Sequence, residues 1–89
     1  MKIRLERIGS RVKNSRFPVG FWVEGICNRL PVPIEKLGSD KQDVWRFMIW
    51  PPIAASFGKH FHYFHSSPIL SVKEEVYSTY NSDWKLTII

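Results

Sequence analysis

The chain has 89 residues, 44% of them hydrophobic and 24% charged, which is enough for one folded domain over residues 1–89 and too little for two. Its 13 Lys and Arg against 8 Asp and Glu give a formal charge of +5, and its one cysteine, Cys27, excludes an internal disulfide framework. No apolar run approaches the roughly 18 residues that span a bilayer and no signal-peptide pattern opens the chain, so we expect a soluble cytoplasmic protein without a membrane partner.

The positive charge is concentrated at the start of the chain. Residues 1–16 contain six Lys or Arg and one acid, whereas residues 17–89 contain equal numbers of basic and acidic groups. A basic segment beside a neutral body is a candidate contact for nucleic-acid phosphate, although the same charges can simply keep an edge strand unpaired. The candidate nucleic-acid-binding residues are Arg4, Arg7, Arg11, Lys13 and Arg16.

Short runs rich in β-branched and aromatic residues, separated by proline and glycine, predict an all-β protein. Residues 2–8 alternate at their start, with Ile3 and Leu5 on one face, and this pattern predicts a half-buried first strand. Residues 9–18 are polar and basic, and they predict a long loop.

The middle of the chain predicts two more strands and a connector. Residues 21–27 predict the second strand, in which Gly25 indicates a bulge or a sharp bend. Residues 44–50 are apolar on both faces, as in a strand covered on both sides, and the proline pair that follows ends it. Residues 53–59 are predicted to connect rather than to pair.

The last third of the chain predicts an aromatic strand and a hairpin. Residues 60–65 are extended and aromatic, and residues 69–72 predict a short strand, with a one-turn helix as the alternative. Residues 76–80 and 84–89 flank a connector of good turn formers at 81–83, which predicts a C-terminal β-hairpin.

Five or six strands of this length predict a small single-domain β-barrel, SH3-like or OB-like in size. Closure into a barrel would also remove the exposed edges that so many aromatic strands would otherwise present.

The three histidines of the chain fall within six residues, which raises the question of a metal site. His60 and His62 would point to the same face of a strand and are candidate ligands, although both could equally lie on a solvated face. No cofactor is expected. We also expect no enzymatic activity, because no glycine-rich phosphate loop or paired carboxylates occur and nothing marks a base or an oxyanion hole for Cys27.

Four tryptophans are more than a barrel of this size can bury. Trp22 lies on the strand face opposite Phe21, and Trp50 shares a strand face with Arg46. Exposed Trp beside Arg is typical of the centre of a protein interface, so Trp22, Arg46 and Trp50 are the candidate protein-binding residues. The alternative is that Trp22 or Trp50 packs under the long loops.

The C-terminal third contains three short runs: Ser-Ser-Pro-Ile at 66–69, Val-Tyr-Ser-Thr-Tyr-Asn-Ser at 76–82 and Trp-Lys-Leu at 84–86. In these runs it resembles a loose class of small, mostly uncharacterised bacterial and phage-encoded proteins. The resemblance covers about 25 of the 89 residues. The resemblance implies a small β-barrel accessory protein encoded by a phage or another mobile element, and it implies no catalytic residues.

These patterns together favour a non-enzymatic accessory protein that binds another protein, as a monomer or a homodimer. The alternative is a nucleic-acid-binding β-barrel module that uses the basic N-terminal segment.

Overall fold

The computed structural model describes residues 1–13, 17–39, 43–56 and 62–89. Within these residues the protein is all-β, with one short 3-10 turn at Ile34–Lys36. The eight strands are β1 (Lys2–Ser10), β2 (Trp22–Ile26), β3 (Met48–Ile49), β4 (Pro52–Ala55), β5 (Phe64–His65), β6 (Ile69–Lys73), β7 (Val76–Thr79) and β8 (Ser82–Ile88).

Six strands form one antiparallel sheet in the order β4-β2-β1-β8-β7-β6, and β3 and β5 form a second, two-stranded sheet. Strand β1 lies inside the large sheet, where Leu5 is paired with Val23 of β2 and with Leu86 of β8. The alternation of β1 buries Ile3 and Leu5, as predicted from the sequence. This strand therefore contributes the centre of the core.

The prediction of a closed barrel is wrong, although the all-β class is confirmed. Strands β4 and β6 are the two edges of the large sheet and do not pair with each other in the described part of the chain. Residues that flank the strands of the small sheet join it to β2 and to β6 of the large sheet through backbone hydrogen bonds. Trp50 N–H donates to the Ile26 carbonyl over 2.8 Å, and Ile69 N–H donates to the Trp45 carbonyl over 2.7 Å.

The short β3 explains why no continuous ladder closes the sheet. A strand over 44–50 was expected, but only Met48 and Ile49 pair, and Trp45 remains 41% exposed. The expectation of burial on both faces is therefore wrong. Pro51 and Pro52 follow one residue after β3, and proline has no N–H to donate to a ladder. The second of them begins β4, so residues predicted as a connector pair with β2.

The core consists of the inner face of the large sheet and the side chains that the small sheet places across it. Trp84 contacts Phe64 edge-on at 5.5 Å between ring centroids, and Phe47 contacts Tyr77 in the same way at 4.8 Å. The buried hydrophobic residues are Ile3, Leu5, Phe21, Val23, Cys27, Phe47, Ile49, Phe64, Ile69, Tyr77, Trp84 and Leu86.

The C-terminal hairpin is confirmed, with a connector shorter than predicted. Strand β7 ends at Thr79 and β8 begins at Ser82, because Ser82 and Asp83 pair with the end of β1. The same pairing makes β1 longer than expected, since a bulge between Arg7 and Gly9 lets the strand continue to Ser10. The alternative of a one-turn helix after residue 70 is wrong, because β6 runs as a strand to Lys73.

Gly25 lies where the two sheets meet. The register between β2 and β4 shifts at this residue, as the predicted bulge requires. A Cβ atom at this position would collide with Ile49 Cγ2 and would lie 2.6 Å from the Pro51 carbonyl oxygen. Only glycine therefore allows β2 to approach the segment between β3 and β4.

We expect Gly25→Ala to lower the free energy of unfolding by about 3 kcal/mol, because backbone atoms would have to move to make room for the added methyl group. Chemical denaturation measures the change. Gly20→Ala is the matched control: no atom lies within 4 Å of its Cβ position, and its φ of +95° costs only about 1 kcal/mol of backbone strain. Equal losses in the two variants would contradict the close approach at Gly25.

Candidate functional site

Arg7 is not a surface residue, which corrects its predicted role in nucleic-acid binding. It is 1% exposed and lies on the same face of β1 as Ile3 and Leu5. Its Nε donates to Ser82 Oγ over 2.8 Å, and its Nη1 donates to the Phe17 carbonyl. Burial lowers the pKa of its guanidinium below the ordinary value. The alternation of β1 already placed residue 7 on the buried face, so the sequence carried this signal.

Arg11 is also part of the structure rather than free for a ligand. Its guanidinium binds both carboxylate oxygens of Asp83 at 2.9 to 3.0 Å and donates to the Thr79 carbonyl over 2.7 Å. Ser78 Oγ donates to the same carboxylate over 2.7 Å. The Arg11 hydrogen bonds, followed by the Ser78 bond, hold the pKa of Asp83 below its ordinary value, and the bond to Asp83 raises the pKa of Arg11.

The remaining basic residues of the first segment do not gather into one surface with these two. Arg4 lies on the outer face of β1, where its Nη1 is 3.4 Å from Glu24 Oε1 and its Cζ lies 4.5 Å from the ring centre of Trp22. Lys13 is exposed, and Arg16 lies outside the described residues. The predicted basic patch is therefore not one surface. Arg7 lies in the interior, Arg11 is in an ion pair with Asp83, and Arg4 lies on the outer face of β1.

Arg46 and Trp50, by contrast, lie on one cleft. Trp50 is 72% exposed and Met48 is 47% exposed, although both follow the apolar pattern of a buried strand. Trp22 is half-buried under Arg4 and does not line this cleft. The cleft has a volume of about 160 Å³ and is called here the Trp50 cleft; its lining residues are Ile26, Asn28, Arg29, Val44, Arg46, Met48 and Trp50.

Beyond the Trp50 cleft, Arg46 belongs to a row of flat side chains on the small sheet. Its Cζ lies 4.6 Å from the ring centre of Trp45, and its Nη1 lies 3.0 Å from His65 Nδ1. Tyr63 stacks on His65 at 5.3 Å with an interplanar angle of 25°. Because arginine is always a donor, His65 Nδ1 accepts this bond and the imidazole proton lies on Nε2. We call these four side chains the planar row.

The candidates for metal binding and catalysis are not assembled into a site in the described part of the chain. His62 is exposed, and His60 lies outside the described residues. No group of three or more His, Cys, Asp or Glu that could hold a metal ion occurs among the residues described. Cys27 is buried, and burial raises the pKa of its thiol.

No protein-family model, curated protein or solved structure matches the chain. Among the residues that the structure describes, no helix is long and apolar enough to cross a membrane.

The lowered pKa of Asp83 predicts an acid-sensitive contribution to stability. A carboxylate with a lowered folded-state pKa stabilises the fold above the unfolded value of about 3.9, and this contribution is lost as the pH falls through the lowered value. We expect Asp83→Asn to cost about 1 kcal/mol at pH 7 and to weaken the decline of stability below about pH 4.

Urea denaturation at pH 7 and at pH 3 measures both effects. Asp43→Asn is the control, because Asp43 accepts only longer hydrogen bonds, of 3.3 Å each, from Arg29 and from the Gly38 N–H. If Asp83→Asn left the difference in stability between the two pH values unchanged, the Arg11–Asp83 pair would not be its source.

Proposed function

We propose that the protein is a non-enzymatic accessory factor that binds another protein at the Trp50 cleft. The observation that carries this proposal is an indole group 72% exposed at the edge of a cleft that also contains the exposed Met48. Tryptophan, methionine and arginine are enriched at the buried centres of protein interfaces. A partner that covered Trp50 would remove this apolar surface from water.

The charges at the Trp50 cleft favour a partner segment with a carboxylate next to an apolar side chain. Arg46 has no ion pair in the part of the chain that the structure describes, and its bond to His65 is to a neutral acceptor. The cleft has room for one apolar side chain, and Arg46 is one of its lining residues. Trp22 lies four residues before Ile26 on the same strand face, about 13 Å away, and would contact only the edge of such a partner.

The absence of an enzymatic role is part of the same proposal. The buried Cys27 thiol, with its raised pKa, is the opposite of an activated nucleophile. The resemblance of the C-terminal third to small phage and bacterial proteins also supports an accessory role in the cytoplasm. The proposal invokes no cofactor.

We expect a photo-crosslinking amino acid at position 50 to capture a partner protein in the source cells, and the same group at position 80 to capture none. Tyr80 is the matched control, because it is 79% exposed and lies in the β7–β8 turn, away from the Trp50 cleft. In cells that also carry Arg46→Ala, the adduct at position 50 should decrease severalfold. Equal capture from the two positions, or none from position 50, would contradict the proposal.

The stability of the variants shows whether Trp50 is a surface or a core residue. We expect Trp50→Ala to change the free energy of unfolding by less than about 1 kcal/mol, and Trp84→Ala, at a buried ring, to lower it by about 3–5 kcal/mol. If Trp50→Ala unfolds the protein, Trp50 is a core residue, and this result would contradict the proposed interface.

The planar row favours nucleic-acid binding as the second candidate function. Unpaired bases stack on aromatic rings and on arginine planes, and the row offers both side by side at the protein surface. This site differs from the N-terminal basic segment, of which Arg7 and Arg11 are held by protein groups. Only exposed cations such as Lys13 would then contribute to the attraction of phosphates.

For this second candidate we expect a fluorescent single-stranded RNA to bind at low salt and to be released as salt rises. Tyr63→Ala should weaken binding by about tenfold, the loss of one stacked base. Trp22→Ala is the control, because Arg4 covers the Trp22 ring. No change in fluorescence anisotropy at low salt would exclude this function. Crosslinking at position 50 that persists after nuclease treatment would favour the protein partner.

A further inference from the structure

Arg7 places a positive charge in the interior, and none of the described residues supplies a negative partner for it. The ion pairs of the described residues involve Arg4, Arg11 and Arg29, and none involves Arg7. A buried charge in a protein is usually paired, because leaving water costs an unpaired ion several kcal/mol. The surroundings of Arg7 are therefore of interest as a site for an anion.

The hydrogen bonds of Arg7 leave its charge uncompensated. The four acceptors are the Phe17 and Asn81 carbonyl oxygens and the Ser10 and Ser82 hydroxyl oxygens, all of them neutral. These bonds use four of the five N–H groups of the guanidinium, and the fifth is on Nη1. The guanidinium is thus fixed in position and retains both its charge and one donor.

A cavity of about 230 Å³ opens beside Arg7 and is lined by further hydrogen-bond donors. Asn81 Oδ1 accepts from Thr79 Oγ1 over 3.0 Å and from Ser82 Oγ over 3.1 Å, so the amide NH₂ of Asn81 remains to donate. His65 carries its proton on Nε2, because its Nδ1 accepts from Arg46. Ser67 also lines the cavity, and its hydroxyl can donate.

The set of groups around the cavity suits an oxyanion. Among the residues that the structure describes, its lining includes the fixed Arg7 and three neutral side chains that can donate, and it includes no Asp or Glu. Residues from β1, from the β7–β8 turn and from the segment around β5 line one space, and a tetrahedral anion has acceptor oxygens in several directions to meet their donor groups.

We propose that this cavity, called here the Arg7 cavity, binds a phosphate group, either as inorganic phosphate or as the phosphate of a small monoester. The proposal is independent of the Trp50 cleft and its partner. The phosphate would accept hydrogen bonds from Arg7, Asn81, His65 and Ser67, and it would supply the negative charge that the interior lacks.

The test is a titration of the isotope-labelled protein with inorganic phosphate, followed by NMR at constant ionic strength in sodium chloride. We expect saturable shifts of the Arg7 Nε–H and Asn81 NH₂ signals, together with a rise in the melting temperature. Parallel titrations with a nucleoside monophosphate and with acetate distinguish a phosphate ester and a carboxylate from free phosphate. Shifts no larger than those in sodium chloride would overturn the proposal.

Two variants show whether the effect belongs to the Arg7 cavity. Ser67→Asp places a carboxylate on the cavity wall, so it should raise the melting temperature without phosphate and abolish the response to phosphate. Ser71→Asp, on the exposed strand β6, is the matched control and should retain the response. If Ser67→Asp does not fold, Ser67→Val should weaken phosphate binding by about tenfold, the loss of one hydrogen bond to a charged group. An unchanged response in the Ser67 variant that folds would overturn the proposal.

Discussion

The hydrogen bonds of the buried Arg7 guanidinium hold the end of β1 and the C-terminal hairpin in place, and the rest of this region depends on them. The guanidinium joins three segments: β1, the Phe17 carbonyl ten residues further along the chain, and the β7–β8 turn, which is 74 residues away at Asn81. Because a fixed guanidinium presents donors in several directions, one side chain determines where all three lie. The bulge between Arg7 and Gly9 lets β1 continue to pair with β8 as far as Ser10. The exposed Arg11–Asp83 ion pair also connects this end of β1 to β8.

This arrangement changes the meaning of the charge on the chain. The sequence places the entire excess of positive charge in the first 16 residues, which would indicate one basic contact surface. In the folded protein, Arg7 and Arg11 hold the end of β1 and the C-terminal hairpin together. The side chains proposed to bind a partner lie instead around the small sheet, where Arg46 belongs both to the Trp50 cleft and to the planar row.

The small sheet connects two distant strands of the large sheet without closing a barrel. Residues that flank its strands hydrogen-bond to β2 and to the edge strand β6. Gly25 permits the close approach on one side. Because the small sheet is so short, Met48 and Trp50 remain exposed, and these two side chains belong to the proposed binding surface.

The sequence by itself determined the all-β class, the first two strands, the bulge at Gly25 and the C-terminal hairpin. Alternation, turn residues and the lack of a Cβ act locally, and so they can be read from neighbouring residues. Arg7 was predicted to bind nucleic acid, although it follows the alternation of Ile3 and Leu5, and no local pattern shows which groups accept its hydrogen bonds. Only the tertiary structure decided the open sheet, the exposure of Trp50 and the position of Arg7 beside a cavity, because each depends on contacts between segments far apart in the chain.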